Sequence, residues 1–70
     1  MTADEFNRKY YDYAAADLVA ARSDCSIAND LLEDGERAVV VNFGDSYSIM
    51  LVEAAEIACA TVGATVEEQE

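Results

Sequence analysis

The sequence predicts a small α+β domain: two N-terminal amphipathic helices, then a β-hairpin, then a short alanine-rich C-terminal helix or third strand. Three observations carry this. Apolar residues recur at helical spacing through the first half of the chain. Val39-Val40-Val41-Asn42-Phe43 is β-branched and aromatic, and too short for a convincing helix. Gly44-Asp45 then stands between that run and an alternating one, as the turn of a hairpin would.

Residues 2–22 are good helix formers, with Thr2 placed to cap and Asp4 and Glu5 suited to the positive end of the helix dipole. On a helical wheel Phe6, Tyr10, Tyr11, Ala14, Leu18 and Ala21 share a broad side that should face the core. In the Tyr10-Tyr11-Asp12-Tyr13 cluster at least two rings are expected in the core, with Tyr13 at the edge, where it could anchor an interface. Arg22-Ser23-Asp24 is expected to interrupt. Ile27, Ala28, Leu31 and Leu32 then recur opposite Ser26, Asn29, Asp30 and Glu33, and Gly35 is placed to end this second helix.

Residues 37–43 read as a strand, and Gly44-Asp45 suits a two-residue type II′ turn into residues 46–52, where Tyr47, Ile49 and Leu51 alternate with serines and Met50. The rival over 46–62 is a helix capped by Asp45 with Glu53 and Glu56 on its wet side. From Glu53 the alanine-rich stretch favours helix, closed by Gly63, although residues 57–62 could make a third strand. No proline, three glycines and no repeat leave nothing to mark a linker, so residues 1–66 are expected to form one domain and residues 67–70 an acidic, solvated tail.

A chain this short buries only about 60 to 65% of its unfolded surface, so its core is thin. The 53% hydrophobic composition nevertheless argues for folding over disorder. Association through the alanine-rich face, as a homodimer, is compatible with so thin a core. The start Met1-Thr2-Ala3-Asp4-Glu5 lacks the basic stretch and apolar run of a secretory signal, and Glu53 and Glu56 break the longest apolar region. A cytoplasmic protein without membrane contact is expected, its Cys25 and Cys59 reduced.

The chain has no histidine, so neither thiol nor hydroxyl has the usual activating base, and the common zinc sets are ruled out. Residues 30–36 do not match the alternating ligands of a calcium loop, and no glycine loop is built to cradle phosphate. No enzymatic activity, metal or cofactor is expected.

Charge is the most informative feature. Fifteen acidic residues face four basic ones, for a net charge of -11. Three of the bases, Arg8, Lys9 and Arg22, fall in the first predicted helix, where Asp4 with Arg8, Glu5 with Lys9 and Arg8 with Asp12 have pairing geometry. From Asp24 onward the acids Asp24, Asp30, Glu33, Asp34, Glu36, Asp45, Glu53, Glu56, Glu67, Glu68 and Glu70 are opposed by Arg37 alone. That excess passes the roughly 2 to 8 charges that solubility asks of a small domain. Carboxylates three or four residues apart on a helix lie about 5 to 6 Å from one another, near the phosphate spacing of a nucleic-acid strand. A surface built from Asp24, Asp30, Glu33, Asp34, Glu36, Asp45, Glu53 and Glu56 could occupy the basic surface of a nucleic-acid-binding complex, while nucleic acid itself would be repelled.

In this combination of small size, acidity and missing catalytic equipment, the chain resembles phage-encoded anti-CRISPR proteins and other nucleic-acid mimics. The resemblance lies in composition across the whole chain and carries over no single residue. It implies a phage protein acting in the cytoplasm of a bacterial host, as an inhibitor that blocks the DNA-binding surface of a CRISPR surveillance complex or related machinery. A second, local resemblance covers Gly44-Asp45-Ser46-Tyr47-Ser48-Ile49-Met50-Leu51-Val52-Glu53, which is similar to the acyl carrier protein motif. It implies a helix opening at Asp45-Ser46 and phosphopantetheine on Ser46. Tyr47 stands where that family has leucine. A small acidic regulatory protein that dimerises is the remaining alternative.

Overall fold

A capping box starts the first helix, α1 (Ala3–Lys9). The Thr2 hydroxyl accepts from the Glu5 N–H, and the Glu5 carboxylate accepts from the Thr2 N–H, both at 3.2 Å. Phe6, 1% exposed, is the buried residue of α1. The computed structural model describes residues 1–33 and 35–67; Asp34 and residues 68–70 lie outside it.

The chain does not continue helically to residue 22. It leaves α1 at Tyr10, whose ring stacks on Phe6 at 4.7 Å, while Tyr13 meets Tyr10 edge-on at 5.7 Å. Ala15 then pairs with Tyr47 through two backbone hydrogen bonds of 2.8 Å. Asp17 caps a new helix, α2 (Leu18–Leu31), by accepting from the Val19 N–H at 2.9 Å. The alanines at 14–16 favour helix intrinsically, but pairing with a strand and seating two rings on the core outweigh that preference. Arg22-Ser23-Asp24 lies inside α2, because Ala21, Cys25 and Ala28 form an unbroken buried stripe at helical spacing. After Leu32 a turn closes from Glu33 to Glu36, with a 3.1 Å backbone bond and Gly35 at φ 90°.

The hairpin forms as its turn residues dictate. Strands β1 (Ala38–Asn42) and β2 (Tyr47–Leu51) pair antiparallel from Asn42↔Tyr47 to Ala38↔Leu51. The Phe43 N–H donates to the Ser46 carbonyl at 3.0 Å, and Gly44 takes φ 103°, the positive value that the first central residue of a type II′ turn requires. Residues 46–62 prove to be both strand and helix: β2 runs straight into α3 (Val52–Val62), which Gly63 ends in the left-handed conformation at φ 72°. The third strand forms beyond that helix, as β3 (Thr65–Glu67), and includes a residue expected in the tail.

The sheet order is β2-β1-β3, antiparallel throughout. Side chains alternate across β1. Ala38 and Val40 join Phe6, Ala21, Cys25, Ala28 and Ile49 under α2, whereas Val39 and Val41 face α3, near its buried Ala55 and opposite Val66. Backbone groups alternate too. Phe43 bonds across to Ser46, and the Arg37 carbonyl accepts from the Val52 N–H at 3.1 Å, so odd-numbered β1 residues bond toward β2 and even-numbered ones toward β3. Ala38 lies past the end of β3. There the Asn29 side chain substitutes for a strand: its oxygen accepts from the Ala38 N–H at 2.8 Å and its nitrogen donates to the Ala38 carbonyl at 3.0 Å.

Candidate partner-binding site

Asp45 and most of the other acids expected at the partner surface lie toward opposite ends of the sheet. Asp45 is exposed in the hairpin turn, next to the pair Asn42↔Tyr47. The opposite end, where β1 begins and β2 passes into α3, gathers more of them. Asn29 ties the last turn of α2 to Ala38, which brings exposed Asp30 there. The Glu33 N–H donates to the Met1 carbonyl at 3.2 Å and the Met1 ammonium donates to the Leu31 carbonyl at 2.6 Å, which binds the start of α1 to the end of α2. Glu36 and Glu53 line one cavity of about 650 Å³ together with Ala3, Arg37 and Ile57. Glu56, a turn further along α3, lines a neighbouring cavity of about 290 Å³ beside Arg37 and Val66. Asp34 lies outside the described residues.

Asp24 is differently placed. It is half-buried on α2 and accepts a 2.6 Å hydrogen bond from the Tyr13 hydroxyl. Burial first, then this bond to Asp24 and the carboxylate charge, hold the Tyr13 phenol well above its ordinary value. Tyr13 therefore braces the fold. Tyr11 is the ring left outside, at 84% exposure, which reverses the expected roles of the two tyrosines.

The geometry adds two acids that charge counting along the sequence set aside. Asp4 and Glu5, exposed in the first turn of α1, stand at the acidic end beside Ala3. Glu5 is held below the usual carboxylate range chiefly by the Thr2 N–H, then by the Thr2 hydroxyl, with the Met1 ammonium and then Arg8 as lesser influences. The capping pattern Thr2-Ala3-Asp4-Glu5 was the available signal, since it places both acids at a helix start.

Chemically, this end offers exposed anionic acceptors, with the Arg37 guanidinium, the Met1 ammonium and Arg8 as the nearby cations. Among the described residues no group of three or more histidine, cysteine or acidic side chains is placed to hold a metal ion. Cys25 is buried, donates to the Ala38 carbonyl at 3.4 Å, and has its thiol pushed up by burial. Ser46 sits between the hairpin turn and β2; the helix expected to open there begins at Val52 instead. No helix among the described residues is long and apolar enough to cross a membrane. No family model, curated protein or solved structure matches the chain.

Proposed function

We propose that this chain is a non-enzymatic acidic binding protein that inhibits a nucleic-acid-binding complex, such as a CRISPR surveillance complex, by occupying its basic DNA-binding surface. The observation that carries this reading is that Glu36 and Glu53 line one cavity, with exposed Asp30 and Glu33 at or just past the end of α2 and exposed Asp4 and Glu5 in the first turn of α1, on a domain whose net charge is -11. Such carboxylates accept charge-assisted hydrogen bonds from the lysines and arginines that otherwise hold phosphates. The uncompensated field speeds encounter with a basic groove and repels free nucleic acid. Asp24 and Asp45 have no part in this surface: the first serves Tyr13 and the second lies at the far end.

The test is competition. A purified surveillance complex is titrated with its labelled target DNA in the presence of the domain, and with a variant carrying Asp30→Lys, Glu33→Lys, Glu36→Lys and Glu53→Lys. The wild-type domain should displace DNA, less effectively as salt rises, and the variant should not. Equal displacement by both proteins would remove this surface from the mechanism, and no displacement from any of a panel of such complexes would remove the function.

A further inference from the structure

Two cavities flank β2 and share Asn7 and Ala54 in their walls. One, of about 310 Å³, is walled by Phe6, Tyr10, Tyr13, Ile49 and Met50. The other, of about 650 Å³, is lined by apolar Leu51, Val52 and Ile57 and by charged Glu36, Arg37 and Glu53. Together they form a cleft between α1 and α3, aromatic at one end and acidic at the other. We propose that this cleft seats an extended cationic segment of a protein partner, with a bulky apolar side chain in the aromatic end and lysines or arginines beside Glu36 and Glu53. The inference rests on the acidic-binding reading above and specifies where and how the partner is held.

Three features fix the chemistry of the occupant. Tyr11, 84% exposed, lines the aromatic end, and Ile57, 65% exposed, lines the acidic one. Aromatic and aliphatic groups so placed beside a cavity are what anchors bury against at interfaces. Charge then discriminates among occupants, because a net -11 disfavours a second copy of this chain and any nucleic acid, and favours a cation. The backbone sets the shape. Ile49 and Met50 line one cavity and Leu51 and Val52 the next, so the cleft follows β2 lengthwise. An extended segment fits a cleft of that course.

Two labelled peptides test this by fluorescence anisotropy at low salt: Lys-Leu-Lys-Phe-Lys-Leu-Lys, and Lys-Ser-Lys-Ser-Lys-Ser-Lys of equal charge. The apolar peptide should bind about tenfold or more tighter, the scale of one well-buried anchor. Tyr11→Ser and Ile57→Ser should abolish that advantage, whereas Val19→Ser, on the exposed side of α2, should keep it. All three positions are exposed, and matching circular dichroism melts verify the fold. Amide shift changes on binding should centre on Asn7, Met50 and Ala54. Equal affinity for the two peptides, or an advantage that survives both cleft variants, overturns the inference while leaving the acidic-binding reading in place. Failure of both peptides to bind removes both. A wild-type dimer in sedimentation that Ile57→Ser dissociates would overturn it by assigning the cleft to a second copy.

Discussion

Replacing Asn29 by alanine should destabilise the domain out of proportion to the size of the change. The Asn29 amide makes both hydrogen bonds to Ala38, at 2.8 and 3.0 Å, and Ala38 is only 2% exposed. Each bond contributes about 1 kcal/mol net, and a buried N–H left without a partner costs roughly 1 to 3 kcal/mol. The Ala38 carbonyl keeps the Cys25 thiol as a donor at 3.4 Å, so only the N–H is orphaned. The expected loss is therefore about 2 to 3 kcal/mol, against a total stability of roughly 3.5 to 10 kcal/mol for a domain of this length. Urea unfolding followed by circular dichroism reads this directly: with a slope of about 1 kcal/mol per molar, the midpoint should fall by about 2 to 3 M. Ser26→Ala, exposed on the same helix, should stay within about 0.5 kcal/mol. An Asn29→Ala midpoint indistinguishable from wild type would refute the role given to the amide as a substitute strand.

Raising the pH should unfold the domain through its tyrosines. Burial, then Asp24, lifts the Tyr13 phenol above its ordinary 10.0, and burial does the same for Tyr10. The folded state favours the neutral phenols, so their contribution is complete below pH 10 and is lost as pH climbs through the raised values. Phenolate absorbance should show Tyr13 ionising late and together with unfolding; a single unshifted step for all four tyrosines would contradict this. Gly44→Ala should cost about 1 to 2 kcal/mol from backbone strain alone, because φ is 103° and nothing lies within 4 Å of the added carbon; a thermal melt measures it. A thiol reagent should modify half-buried Cys59 in the native protein and buried Cys25 only after denaturation; equal rates would show that the region around Ala38 opens freely.

What could be read from the sequence was what short-range chemistry decides. Thr2 caps, Gly44 turns and Gly63 stops a helix because each requirement is met within a few residues. The break between α1 and α2 was not legible, since its causes reach across the chain: Ala15 to Tyr47, and Tyr13 to Ser48, whose hydroxyl donates to the Tyr13 carbonyl at 3.4 Å. The same limit applies to the acids. Their number and their excess after Asp24 are visible in one dimension, but the pairing of Asp24 with Tyr13 and the tie of Met1 to Leu31 and Glu33 depend on contacts between residues far apart in the chain.

The two faces of β1 are unequally covered. Under α2 lie Phe6, Ala21, Cys25, Ala28 and Ile49, whereas Ala55 is the one fully buried residue of α3 among those described. With fewer buried side chains than α2, α3 is expected to open ahead of the sheet. Its amides should exchange with deuterated solvent well before those of β1. Glu53, Glu56 and Ile57 thus stand exposed on the less deeply seated of the two longer helices, where a counterpart would meet them first.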